Sequence, residues 1–178
     1  MLHEIVIAGF GGQGVMSMGQ LITYAAMHEG KHVTWLPSYG PEQRGGTANC
    51  AVTVSDEEIG SPLVEHPKVA IVLNKPSFDK FEPRIAPGGV LIVNSSLIDQ
   101  KSMREDITVI EIPATEVAIE IGEPRVSNSV ILGAFVAASG AVSIDSVVEG
   151  LRSVLPERRH NLIPANKLAL EKGAEFAK

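Results

Sequence analysis

Residues 5–8, Ile5-Val6-Ile7-Ala8, form a short apolar run that stops at Gly9-Phe10-Gly11-Gly12-Gln13-Gly14. Beyond it Val15, Met18, Ile22 and Ala25 recur at helical spacing as far as Gly30. Strand, glycine turn and helix in that order make the opening unit of an α/β sheet, and nothing else in the chain constrains the fold as strongly. The turn also fits G-x-G-x-x-G. Glycines let a ligand approach the backbone, and the amides opening the next helix, at the positive end of its dipole, suit a pyrophosphate. A turn kept for tight packing alone is the alternative reading.

His32 to Leu36 reads as a second strand, rich in β-branched and aromatic residues, which Pro37 is expected to end. Thr47 to Ser55 alternates, with Asn49, Thr53 and Ser55 on one face and Ala48, Cys50, Val52 and Val54 on the other. The continuous apolar runs Val69–Leu73 and Val90–Val93 have the pattern of strands covered on both faces. Between them Pro76, Phe78, Phe81 and Ile85 predict a short helix, made irregular by Pro83. Thr108 to Ile112 reads as a last strand, and helices follow over 114–121, 127–139, 144–155 and 164–176. The Val130–Ala138 stretch is apolar all round and should be buried. The expected architecture is a three-layer α/β/α fold with a mostly parallel or mixed sheet and a Rossmann-like first unit, in one domain over 1–178.

Charge and cysteine content then narrow the function. A formal charge of -6 with 15 Lys plus Arg argues against a nucleic-acid partner. The longest apolar run, about Val130 to Val142, is too short to span a bilayer, and the first residues lack the basic start of a secretion signal. A cytoplasmic protein without a membrane partner is expected. One cysteine, Cys50, allows neither an internal disulfide nor a cluster site, and the five histidines lack metal-ligand spacing, so no metal is expected. Cys50, on the apolar face of its strand, reads as a structural thiol. No catalytic residue set can be picked out.

The second candidate site is the loop Pro37-Ser38-Tyr39-Gly40-Pro41-Glu42-Gln43-Arg44-Gly45-Gly46-Thr47. Loops at strand ends are where such sheets bind ligands or partners. Arg44 offers planar donors for phosphate or carboxylate, while Gly45 and Gly46 remove side chains that would hold a partner off. An exposed loop with a Glu42–Arg44 surface pair is the alternative. An NAD or FAD enzyme should carry an acid at the end of strand two, but that strand ends Trp35-Leu36-Pro37-Ser38. Ligands whose ribose carries a phosphate, NADP or coenzyme A, remain, and a stand-alone NADP-binding reductase is one reading of the residues.

GFGGQG on the first turn, followed by PSYGPEQRGGTANC after strand two, resembles the gamma subunit of 2-oxoacid:ferredoxin (acceptor) oxidoreductases. LNKPSFDKF, the helix opening at Ser127-Asn128 and the stretch from Asn161-Leu162 to Gly173 are similar to that family too, so the resemblance covers the whole chain. The segments Arg44–Cys50 and Ser55–Gly60 are most similar to the 2-oxoglutarate branch. Pyruvate, branched-chain and indolepyruvate branches stay open.

The resemblance implies a subunit that is non-catalytic on its own, in a complex that oxidises a 2-oxoacid with coenzyme A and passes electrons to ferredoxin or another acceptor. Thiamine diphosphate and iron–sulfur clusters would be held by alpha, beta and ferredoxin-like partner subunits. By position, Gly9, Phe10, Gly11, Gly12, Gln13 and Gly14 would cradle the coenzyme A pyrophosphate. Ser38 and Arg44 would lie near the nucleotide or at the subunit boundary, and Asn128 and Asn166 are further cofactor candidates. Ser127-Asn128-Ser129 departs from the Arg-Asn-Met type of sequence at that position in the family. Tyr39, Gly40, Pro41, Glu42, Gly45 and Gly46 would form an interface, with Tyr39, Pro41 and Trp35 as anchors. The isolated chain could form a homodimer.

Overall fold

The computed structural model describes residues 1–41 and 46–178. The elements are β1 (Leu2–Phe10), α1 (Val15–His28), β2 (His32–Tyr39), β3 (Thr47–Ser55), β4 (Val69–Val72), α2 (Lys75–Phe81), β5 (Val90–Asn94), β6 (Thr108–Ile112), α3 (Ala114–Ile121), α4 (Ser127–Ser139), α5 (Ile144–Val154) and α6 (Ile163–Ala174). One six-stranded sheet has the order β2-β3-β1-β4-β5-β6. β3 runs antiparallel to both its neighbours, and the β1-β4-β5-β6 half is parallel.

Period-two alternation sorts the strands between two cores. Ile5 and Ile7 of β1, Cys50, Val52 and Val54 of β3, and Ile71 and Ile92 face the thick helical layer, where α4 is buried on all sides as its sequence predicts. Val6, Ala8, Ala70, Val72, Leu91 and Val93 face the other way, against Phe78 and Phe81 of α2 and Ile85 beyond it. That second layer is thin. A 3₁₀ turn over Glu82–Arg84 takes over from α2 where Pro83 removes a helix donor.

The strand at Pro37 does not stop as expected. β2 continues to Tyr39, with Pro37 opposite Cys50. β2 is the edge strand, so the missing Pro37 N–H breaks no second ladder. In the helical layer α4 and α6 cross at two glycines. A Cβ at Gly133 would collide with the Leu170 carbonyl, and one at Gly173 with the Val130 carbonyl. Among the described residues no helix is long and apolar enough to cross a membrane.

Topology places a site. From β1 the chain crosses to β2, returns through β3 to the side of β1, and continues on its other flank at β4. The direction of travel across the sheet therefore changes beside β1, and crevices form at such points outside the carboxyl ends of the strands.

Candidate functional site

The glycine turn lies at that switch point, and its conformation explains which residues it needs. Gly12 and Gly14 have φ of +92° and +82°, in the left-handed region that β-carbons disfavour. Gln13, between them, folds its side chain back over Gly9. Its Oε1 accepts the Phe10 N–H at 2.6 Å, and its Nε2 donates to the Leu73 carbonyl at 3.1 Å. One side chain thus ties the end of β1 to the end of β4. A Cβ on Gly9 would come within 2.5 Å of Gln13 Oε1, so glycine is required beneath it.

Asn128, in the first turn of α4, holds the turn from the far side. Its Nδ2 donates to the Gln13 carbonyl at 3.0 Å, and a Cβ on Gly14 would collide with that nitrogen. The neighbouring loop is joined on as well. Gly11 N–H donates to the Gly46 carbonyl at 2.9 Å, and Gly40 N–H to the Thr47 carbonyl at 2.7 Å.

These contacts decide which amides remain for a ligand. The N–H groups of Phe10, Gly11 and Gln13 are consumed, the last by the Phe10 carbonyl at 3.1 Å. Those of Gly12 and Gly14 have no partner among the described residues, and the earliest donor within α1 is Met18, to the Gly14 carbonyl. The first turn of α1, without a side-chain cap, therefore presents donors with no partner among the described residues, and the positive end of its dipole. The amides and dipole meet a cleft of about 280 Å³ lined by Gly12, Gln13, Gly14, Leu73, Asn94, Leu97, Thr115, Ser127 and Asn128. No charged side chain is among them. An anion there would be held by backbone dipoles and amide and hydroxyl groups.

The far wall has its own bracing. Asn94 Oδ1 accepts the Ser96 N–H at 3.1 Å, while Ser96 Oγ accepts the Thr115 N–H at 3.1 Å and donates to Glu116. The Glu116 carboxyl is held below its usual range, first by that serine hydroxyl. Asn94, Thr115 and Ser127 were missed as site residues. Asn94 closes β5 and Thr115 follows β6, so the rule that ligands gather at carboxyl ends of strands could have found them.

Of the sequence candidates, Gly12, Gln13, Gly14 and Asn128 line the cleft, while Gly9, Phe10 and Gly11, which precede them in the chain, do not. The cradle is narrower than expected, because Gln13 and the Phe10 and Gly11 amides hold the turn together. Ser38 stands opposite Asn49, itself opposite Ala8, which puts it two strand spacings, about 10 Å, from β1 and outside the cleft. Tyr39 is 70% exposed, and Gly40, Pro41 and Gly46 sit at the same end of the sheet. Glu42, Arg44 and Gly45 lie outside the described residues.

Asn166 is not among the residues lining the cleft. Its Oδ1 accepts Ser129 Oγ–H at 2.6 Å and its Nδ2 donates to the Leu162 carbonyl at 2.9 Å, both within the α4–α6 packing. Buried there, it ties α4 to the start of α6. Trp35 is half-buried against the helical core, its indole nitrogen 2.8 Å from where a Cβ on Gly19 would stand, so it packs inward and is no exposed anchor. Cys50 is fully buried, and burial, opposed by Trp35, pushes its thiol up to about 11. With β3 inserted between β1 and β2, the end of strand two is not adjacent to the glycine turn.

A profile of the pyruvate ferredoxin/flavodoxin oxidoreductase family matches residues 4–176. Ketoisovalerate oxidoreductase subunit VorA of Methanothermobacter marburgensis is 40% identical over 98% of this chain, which spans only 36% of that relative's length. The 2-oxoglutarate synthase subunit KorC of Methanocaldococcus jannaschii is 37% identical over 100% of this chain and 95% of its own. Among solved structures, the 2-oxoglutarate:ferredoxin oxidoreductase of Magnetococcus marinus, with 2-oxoglutarate, coenzyme A and succinyl-CoA bound, superposes with a TM-score of 0.88 at 25% identity, over 99% of this chain and 31% of that one. The gamma subunit of keto/oxoacid ferredoxin oxidoreductase from Geobacter sulfurreducens does so with a TM-score of 0.80 at 30% identity, over 98% of each chain.

Proposed function

This chain belongs to the pyruvate ferredoxin/flavodoxin oxidoreductase family, and from that premise we propose that it works as the gamma-type, coenzyme A-binding subunit of a 2-oxoglutarate:ferredoxin oxidoreductase. The complex would convert 2-oxoglutarate and coenzyme A to succinyl-CoA, carbon dioxide and a proton, passing two electrons to ferredoxin or a similar acceptor. It would act in the cytoplasm with alpha, beta and ferredoxin-like partner subunits.

The observation that carries the coenzyme A reading is the pair of Gly12 and Gly14 amides, without a partner among the described residues, at a cleft by the start of α1. The residues fit a pyrophosphate. None of the described residues stands within 4 Å of where a Cβ on Gly12 would be, which leaves the backbone open to a ligand there. A volume of about 280 Å³ is at the lower end for a ligand site, so the cleft suits the diphosphate and leaves the ends of coenzyme A outside it. Asn128 holds the turn through Gln13, and Arg44 is proposed from the sequence alone as a cation for the ligand.

Thiamine diphosphate on a partner would supply the decarboxylation and the carbanion chemistry when bound. This chain's share is to hold coenzyme A by its nucleotide end and leave the thiol free to reach the partner. Its single cysteine is buried and poorly ionised, which suits a division of labour in which the iron–sulfur clusters are carried elsewhere.

The 2-oxoglutarate assignment is supported by the full-length match to KorC and by the structural match to a 2-oxoglutarate enzyme. The 40% identity to VorA favours 3-methyl-2-oxobutanoate, that is ketoisovalerate, as the second reading. The test is to purify the complex through a tag on this chain and to assay coenzyme A-dependent viologen reduction. Activity with 2-oxoglutarate is expected. Activity with ketoisovalerate alone would keep the subunit role and move the substrate, and an inactive, partner-free chain from cells making the oxidoreductase would overturn the proposal.

A further inference from the structure

The glycine turn accounts for one side of the cleft, and the opposite wall carries a second set of donors. Asn94 closes β5, Thr115 lies in the first turn of α3 and Ser127 opens α4, and all three line the cleft. Asn94 is only 4% exposed. Its Oδ1 accepts the Ser96 N–H at 3.1 Å. A backbone donor can face only the oxygen of an amide, so this bond fixes which way the group is turned and leaves Nδ2 without a partner among the described residues. That nitrogen is not sealed from solvent, as the partnerless amide nitrogen of Asn74 is. A nearly buried side chain thus holds an unused, reachable donor at the cleft, where buried amides are nearly always paired, and this points to a ligand atom.

Its neighbours repeat the pattern. The Thr115 and Ser127 hydroxyls have no hydrogen-bond partner among the described residues, although both line the cleft. Ser96, by contrast, is fully used: its N–H goes to Asn94, and its Oγ accepts the Thr115 N–H at 3.1 Å and donates to Glu116. Ser96 braces the wall by linking Asn94 to Thr115. Asn94, Thr115 and Ser127 are left to meet what enters.

The place of this wall in the sheet says what it takes. β4 stands between β1 and β5, so the strand ends that carry the two donor sets are two strand spacings, about 10 Å, apart. One phosphoryl group on the Gly12 and Gly14 amides leaves the wall unmet. A second, joined to the first by a bridging oxygen, meets both sets. Neither set includes a charged side chain, so the terminal oxygens are held by neutral donors.

We propose that Asn94, with Thr115 and Ser127, is the specificity-determining half of the site: it holds the second phosphoryl group of a diphosphate ester, so that this chain selects a diphosphate over a monophosphate. The inference rests on the coenzyme A reading above and adds the residues that tell coenzyme A from shorter carriers of the same thiol.

The test uses the purified complex and three acceptor thiols: coenzyme A, dephospho-coenzyme A, which lacks only the 3′-phosphate, and 4′-phosphopantetheine, which has a single phosphate. Asn94→Asp keeps the acceptor for the Ser96 N–H and removes the donor, while Thr115→Val and Ser127→Ala delete the hydroxyls. Thermal melting checks each variant, and if Asn94→Asp does not fold, the two hydroxyl variants carry the test. The KM for coenzyme A and for dephospho-coenzyme A should rise alike, about ten-fold in Asn94→Asp and about five-fold in the other two. With phosphopantetheine, whose one phosphate sits on the glycine turn, the rise should vanish. An equal rise with all three thiols would overturn the inference, because it would mark the wall as structural. A rise with coenzyme A alone would move the contact to the 3′-phosphate, and no rise at all would remove the wall from the site; either overturns the inference and leaves the proposed function standing. A wild-type complex whose 2-oxoacid-driven viologen reduction is indifferent to coenzyme A would instead overturn the proposed function itself.

Discussion

Asn128 Nδ2 donates to the Gln13 carbonyl at 3.0 Å, across 115 positions of sequence, and in doing so occupies the space a Cβ on Gly14 would need. The start of α4 is thereby a part of the glycine turn. Gly14→Ala should cost about 1–2 kcal/mol for its left-handed backbone alone, with the collision added, and should raise the KM for coenzyme A. Asn128→Gly in the same chain should relieve the collision but not the backbone term. A double-mutant cycle of melting temperatures on the four chains checks this, and strictly additive effects would refute the coupling.

Gln13 is a positioning residue, and its role separates binding from folding. Gln13→Glu keeps the acceptor for the Phe10 N–H but removes the donor to Leu73 and sets a carboxylate against that carbonyl. The variant should fold, with the KM for coenzyme A raised about ten-fold or more and kcat for saturated enzyme changed little. A kcat loss at unchanged KM would contradict the assignment.

Where α4 crosses α6, neither Gly133 nor Gly173 has room for a methyl group, because each abuts a backbone carbonyl of the other helix. Either Gly→Ala change should cost about 3 kcal/mol, near the upper end for overpacking. Urea unfolding of each variant measures it, and a loss below 1 kcal/mol would show that the helices can part.

Glu29 predicts an acid-side loss of stability. Burial pushes its carboxyl up, but the Lys31 ammonium, the Ser143 N–H and the Ser146 and Ser143 hydroxyls outweigh that and hold it at about 2. The folded value lies below the unfolded one, so the stabilisation is complete above about pH 4.5 and disappears as pH falls toward 2. We expect about 1–3 kcal/mol from this group. Urea curves at pH 6 and pH 3 should therefore differ less for Glu29→Gln than for the wild type, and equal differences would exclude the contribution.

Cys50 should be silent toward thiol reagents in the native protein, since a thiol pushed up to about 11 is thiolate in roughly one molecule per thousand at pH 8. Iodoacetamide labelling followed by mass spectrometry should show modification only after urea is added. Rapid native labelling would reopen a chemical role for it.

Most of the secondary structure was legible because periodicity reports burial directly. Thr47–Ser55 alternates in the sequence as it does in β3, and α4 is apolar all round because it is packed on all sides. What sequence could not supply was adjacency. Pro37 was read as a terminator, since nothing local shows that β2 is an edge strand where a missing donor is harmless. Asn166 and Asn128 are both cofactor candidates by resemblance, yet one bonds Ser129 and the other Gln13. Asn94 and Thr115 had no motif to announce them, and reach the site only because β5 ends beside β4 and β6 beside β5.

The most direct test of the central claim is hydrogen–deuterium exchange of the purified complex with and without saturating coenzyme A. The account predicts slower exchange in peptides covering residues 11–18 and 126–130 of this chain, where the unpartnered amides of the glycine turn and the start of α4 meet the ligand. Unchanged exchange in both segments, while turnover shows the coenzyme to be saturating, would contradict it.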